Sequence, residues 1–297
     1  MPEIVVKSDW QSHEIKMFGS ADIALYADRS NEDYEGFNLG AEARLDVLRD
    51  VQVSAGLVYA DLHESRGSPD DVDGNEPTEY ERLNATLGFA VRSNRLSLSV
   101  GGELYRFDYD DANSAAGAVI DNDDRDRDRY DVVVRGGYVI APEYEGFLRA
   151  GLSMTDYDDA VDSDGVNRDS DGLEIVAGAR IDVTGVVFGD VFAGYLTHDY
   201  DDSRLMTVDG VTAGIDMTWN VTKLTTLGFG VTRTIAETTQ TGASGNFQTN
   251  FDASVDHELL RNLILGARAG MSYHDYEGID RNDEVANFAV SGKYLLS

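Results

Sequence analysis

The chain has 297 residues, with 55 acidic against 24 basic side chains, a formal net charge of -31 and no cysteine. An acidic excess of this size argues against nucleic acid as a partner, because phosphate contacts need basic surface. The lack of cysteine removes disulfides and thiolate metal sites. No run approaches the roughly 18 apolar residues of a membrane-spanning helix. Together with a mean hydropathy of -0.32, this excludes helical membrane proteins but not β-barrels, whose polar lumen and loops dilute the apolar band.

Apolar and polar residues alternate with period two along almost the whole chain, which places them on opposite faces of strands. Taken with the turn signals, the alternation predicts about fifteen strands: 3–10, 13–28, 36–47, 51–62, 79–92, 95–108, 130–141, 145–157, 172–183, 186–199, 210–220, 223–237, 246–259, 263–275 and 284–296. Short connections such as Leu48-Arg49-Asp50, Ser93-Asn94, Pro142-Glu143-Tyr144, Thr184-Gly185 and Leu260-Arg261-Asn262 alternate without exception with long ones at 29–35, 63–78, 109–129, 158–171, 200–209, 238–245 and 276–283. An all-β, up-and-down antiparallel barrel crossing an outer membrane needs this layout; a Greek-key sandwich does not.

The texture is even, so residues 1–297 read as a single domain. The chain opens Met1-Pro2-Glu3-Ile4 without a basic or apolar leader. Counting strands places Ser297 on the short-turn side and residue 3 on the long-loop side. The expectation is therefore an upstream strand and a signal peptide outside this sequence, and a barrel of about sixteen strands.

Face assignments repeat. Phe37, Leu39, Ala41, Ala43, Leu45 and Val47 form one side of 37–47, against Asn38, Gly40, Glu42, Arg44 and Asp46. Strands 173–183, 211–221 and 263–274 follow suit. Two strands break the rule: Phe188 and Phe192 fall on the side of Asp190, and the pattern of 223–235 turns Arg233 outward. Tyr59, Tyr138, Tyr195, Trp219, Tyr273 and Tyr294 lie near strand ends, as interfacial girdles require.

The polar face collects Lys16, Asp22, Glu42, Arg44, Arg92, Glu103, Arg135, Arg149, Glu174, Arg180, Asp190, Asp216, Asp252, Arg268 and Lys293. Burying so many charges in a dry core would cost several kcal/mol apiece, so they imply a watered lumen that sets ion selectivity. Loops 109–129 and 63–78 are the candidates to fold inward and constrict it. Aspartates recur in the long loops, and Asp162, Asp164, Asp169 and Asp171 offer carboxylates two apart that could hold Ca²⁺ or Mg²⁺ loosely. A full calcium-loop pattern is missing. Arg125, Arg127 and Arg129 are expected to pair within their own loop. No nucleophile–base spacing emerges among the histidines, so no catalytic residue, enzyme activity or resident cofactor is expected.

The segments Asp123–Tyr130, Pro142-Glu143-Tyr144-Glu145, Arg168–Gly172, Val191–Tyr195, Asp199–Asp202, Val255–Asn262 and Asp275–Asp280 together resemble the putative β-barrel porin 2 family of Gram-negative outer membranes. The resemblance runs from about residue 3 to the end and implies an outer-membrane barrel with a porin role; association of some relatives with exopolysaccharide production implies an export role as the alternative. From the residues themselves the expected function is passive diffusion of small hydrophilic solutes or ions, with cations preferred because the rim is acidic. A structural or adhesive barrel acting through its external loops is the third reading. Expected partners are outer-membrane lipid, lipopolysaccharide bridged by divalent ions, the transported solutes, and further copies of the chain in a homo-oligomer.

Overall fold

Period-two alternation suits a pleated strand and no helix, and nearly every element formed is a strand. The computed structural model describes residues 2–66, 68, 71–72, 74–183 and 185–295. The expected turn residue Thr184 and the strand end at 296 lie outside these residues. Fifteen strands form one antiparallel sheet: β1 (Glu3–Lys7), β2 (His13–Ala24), β3 (Tyr34–Leu48), β4 (Val51–His63), β5 (Glu79–Ser93), β6 (Leu96–Tyr109), β7 (Arg127–Ala141), β8 (Tyr144–Tyr157), β9 (Ser170–Val183), β10 (Val187–Tyr200), β11 (Val208–Thr222), β12 (Thr225–Ala236), β13 (Gly245–Leu260), β14 (Leu263–Glu277) and β15 (Asn282–Tyr294). Their order in the sheet is their order in the chain. This is the up-and-down all-β arrangement predicted, with spans within a few residues of those expected except where β1 and β2 stop early, at Lys7 and Ala24.

Among the described residues no pairing joins β1 to β15, so both are edges of the sheet. Among the described residues no helix is long and apolar enough to cross a membrane. The tight turns use left-handed backbone at Asn94, Glu143 and Gly185. The long loops carry two single-turn 3-10 helices, Ser30–Glu32 and Asp123–Arg125, and a small ribbon pairing Ala112–Asn113 with Val119–Ile120.

The sheet curls so that its polar face is concave. Arg180 on β9 shares a cavity of about 380 Å³ with Asp46, Gln52 and Arg92 on β3, β4 and β5, which only a strongly rolled sheet allows. The convex face is apolar and open, with Leu39 at 55 %, Leu148 at 66 %, Ile175 at 55 % and Val211 at 66 % exposed. A water-soluble protein would bury such side chains. On β7 the outward tyrosines Tyr130 and Tyr138 bracket Val132, Val134 and Gly136. Eight residues span about 27 Å along a strand, or about 20 Å across a layer at the usual barrel tilt, close to the height of an outer-membrane apolar band. Beyond the upper tyrosines the same face turns acidic: Asp61 pairs with Glu81, Glu81 with Asp108, Asp128 with Asp156, and Asp171 with Asp199. The convex surface therefore has an apolar belt with a carboxylate margin on the long-loop side.

Candidate functional site: the charged concave face

The charged residues expected to line a lumen share the concave face, by register. Lys16 stands opposite Glu42, Arg135 opposite Arg149, and Asp22 opposite Gly36. One row runs unbroken across six strand pairs: Arg180, Asp190, Asp216, Gly230, Asp252, Gly270 and Asn287 are successive partners from β9 to β15. Phe188 and Phe192 lie on this side with Asp190, as the sequence pattern indicated. Phe192 fits there because Gly214 opposite has no side chain; a Cβ would come 2.3 Å from the ring.

Most of these charges are neutralised locally. Arg180 binds both Asp190 oxygens at 2.8 Å, and Arg149 donates twice to Glu174, at 3.1 and 2.9 Å. Arg135 reaches Glu145 at 2.8 Å and lies over the Phe147 ring. Lys16 meets Glu42 at 3.3 Å. Asp216, Asp252 and Arg268 have no hydrogen bond or ion pair among the described residues. They border a cavity of about 520 Å³ whose floor is Gly228 and Gly230 and whose walls include Thr218 and Ser254. Glycine in β12 thus leaves a trough between two unpaired carboxylates.

Arg233 corrects the sequence reading. Its position in β12 would turn it outward if strict alternation held. Pairing of β11 with β12 stops at Gly214–Thr232, although both strands continue beyond it. The top of β12 stays paired with β13 alone and leans over the concave side. Thr212 spans the opened seam by donating its hydroxyl to the Arg233 carbonyl at 2.6 Å. Arg233 then lies over Phe247 and lines an interior cavity. Ile235 and Phe247, nominally outward, pack with Leu196 and Val208 in the buried apolar cluster instead.

The β12–β13 connection, 237–244, follows inward. Arg168, 3 % exposed, holds it through Nη1 to the carbonyls of Thr238 (2.7 Å) and Ala243 (3.0 Å) and Nη2 to Gln240 (3.4 Å). Its Nε is 2.5 Å from Asp162. Glu237 accepts a hydrogen bond from Ser170 at 2.9 Å and pairs with His198 at 3.4 Å. Burial pushes the Glu237 carboxyl up, but His198, Ser170 and Arg127 outweigh it, so the group titrates below the ordinary glutamate range. Loops 109–129 and 63–78 are the ones expected to constrict the passage, and Arg125 of the first is buried over the inward-facing Tyr109 ring. Those loops tie to one another, by the Arg125–Glu64 pair (2.9 and 3.0 Å) and by Asn75 N–H to the Asn113 carbonyl. Segment 237–244 also enters the concave space, and its Thr, Gln, Gly and Ser content carries no signal of that.

The loop acids fall differently from expectation. Asp162 is consumed by Arg168 and by the Asp164 and Val166 amides. Asp169 accepts the Tyr157 amide, and Asp171 stands on the convex face of β9. These four do not converge on a cation. Asp111, Asp121 and Asp123 do bring carboxylate oxygens within 4.8 Å of one another, all three exposed. Arg129 pairs close by with Asp131, Arg127 donates to the Arg125 carbonyl at 2.6 Å, and Arg125 crosses to the neighbouring loop. Asp126 is partly buried next to Asp108, Asp123 and Asp158. Burial first, then those carboxylates, push it up to about 6 against the pull of the Tyr109 amide.

The model of a family described as "Putative beta-barrel porin 2" matches residues 1–297. Curated proteins give no match. Solved structures similar in fold include FpvA of Pseudomonas aeruginosa (12 % identity, TM-score 0.49, 99 % of this chain and 52 % of that one), the siderophore receptor PirA of Acinetobacter baumannii (8 %, 0.48, 99 % and 55 %) and the ferric enterobactin receptor PfeA of Pseudomonas aeruginosa (7 %, 0.45, 92 % and 50 %). The chain spans about half the length of these receptors.

Proposed function

This chain belongs to the putative β-barrel porin 2 family, and on that premise we propose that it is an outer-membrane channel of a Gram-negative bacterium for passive diffusion of small hydrophilic solutes and ions, with cations preferred. The apolar belt faces lipid. The observation that carries the reading is the concave row of charges in which Asp216 and Asp252 are left unpaired over a glycine floor. Carboxylates in that state are stable only in water, and they attract cations into it. The carboxylate margin on the long-loop side adds to the same field and draws cations to the entrance. Divalent ions there would bridge it to lipopolysaccharide. No residue set for catalysis and no resident cofactor enters this proposal.

Planar-bilayer recording tests it. The purified chain should conduct, and a salt gradient should give a reversal potential of cation-selective sign. Asp216→Asn with Asp252→Asn should reduce that selectivity. Zero conductance, or anion selectivity, would overturn the proposal.

A further inference from the structure

The interior cavity below the inward hairpin, about 670 Å³, is lined by charges of both signs. Most are spoken for. Arg149 is committed to Glu174, Arg180 to Asp190, and Asp182 to the Gly185 amide. Two are not: Asp216, and Arg233, whose Nε is buried with no hydrogen-bond partner. The Arg233 guanidinium is backed by the Phe247 ring at 4.5 Å and its backbone is pinned by Thr212, so it is fixed without being neutralised. The residue is half-buried, so the rest of its guanidinium faces the cavity, and an anion there would meet a positioned, unpaired cation.

Their separation decides what fits. Asp216 stands opposite Gly230, and Arg233 lies three residues further along β12. Three residues of strand offset the two backbones by about 10 Å, Arg233 is directed to the Phe247 ring, and among the described residues the two form no ion pair. A lone small cation would satisfy Asp216 and leave Arg233 orphaned; a lone anion would do the reverse. A ligand with both charges about 10 Å apart satisfies the two together, and an extended chain of three residues has that length. Phe188 and Phe192 on the wall offer apolar contact to short side chains between the ends, and Thr218, Thr232 and Thr234 offer hydroxyls to a peptide backbone.

We propose that this cavity is a binding site for short zwitterionic peptides, with the peptide carboxylate on Arg233 and its ammonium on Asp216. The proposal deepens the channel reading by naming a solute class and rests on it for the route of entry. The probe is trialanine, set against N-acetyl-trialanine amide, which has the same length without charges. Trialanine should bind the full chain in detergent micelles by calorimetry and block the bilayer current. The capped peptide should do neither. Arg233→Gln and Asp216→Asn should each weaken trialanine binding at least about tenfold, as expected for one lost charge-assisted contact, while Arg233→Lys keeps part of it. Arg233→Gln shortens a half-buried side chain that makes no ion pair among the described residues, so it should fold, and an unchanged β-sheet circular dichroism spectrum verifies this. Conductance without trialanine binding, or equal binding of the capped peptide, overturns the site and leaves the channel standing. Binding without conductance overturns the channel and leaves the site.

Discussion

Arg168 reaches across 70 residues of sequence to donate to the Thr238 carbonyl at 2.7 Å, while its Nε pairs with Asp162. Both side chains of that pair are almost completely buried, 2 % and 3 % exposed. Arg168→Ala would leave Asp162 charged without its cation and free three carbonyls of the inward loop. Removing one member of a buried pair costs about 3–5 kcal/mol. The expected outcome is a loop 237–244 that is cut by protease under native conditions and a bilayer current larger than wild type. A current unchanged in Arg168→Ala would show that this loop does not restrict the passage.

Glu237 makes the same loop sensitive to acid. Its folded titration lies below the ordinary value of 4.5, so its contribution is fully present above that value. The contribution is lost as pH falls through the depressed folded value, because the protonated carboxyl gives up its attraction to His198 and Arg127 and its charge-assisted bond from Ser170. The protection of amides 238–244, taken relative to their intrinsic exchange rates, should therefore fall as pH drops below 4.5 and through the depressed folded value. Glu237→Gln should exchange fast at every pH. A wild-type exchange profile whose only pH dependence is intrinsic chemistry would contradict this.

Strand spans and the polar face were legible because each residue there answers to its own strand: Glu174 and Arg180 point inward whatever the neighbours do. Arg233 was not legible, since its orientation depends on where β12 leaves β11, a backbone event that alternation does not encode. The buried loop was hidden for a related reason. Thr238, Gln240, Ala243 and Ser244 look like exposed turn residues, and what buries them is the set of donors on Arg168, far upstream. At Asp162 and Asp169 the sequence shows carboxylates two apart, but their partners, a guanidinium and a backbone amide, come from fold and not from spacing.

Asp126 predicts a stabilising substitution. Its carboxyl is raised to about 6 by burial and by surrounding acids, so the folded state disfavours the ionised form. Stability then falls as pH rises from the ordinary aspartate value of 3.8 through about 6, the reverse of the Glu237 case. Asparagine keeps an oxygen to accept the Tyr109 amide, now 2.6 Å from Oδ1, and carries no charge. Asp126→Asn should raise the melting temperature at pH 8 and leave it near wild type at pH 4. An equal effect at both values would trace the change to packing and not to ionisation.

Val134 tests the assignment of the convex face. It lies midway between the outward tyrosines Tyr130 and Tyr138 on β7 and is 41 % exposed. In water an arginine at such a site would be harmless, since surface substitutions usually fall within about 0.5 kcal/mol of neutral. At the midplane of a bilayer it costs about 2–4 kcal/mol. Val134→Arg should therefore lower the unfolding free energy from lipid vesicles by that amount, and Val134→Leu should leave it nearly unchanged. Arg135, one residue on, points the other way and pairs with Glu145, so the two neighbours must respond oppositely to charge. Arginine is excluded at 134 and needed at 135. If Val134→Arg cost nothing in vesicles, the apolar belt would not be facing hydrocarbon.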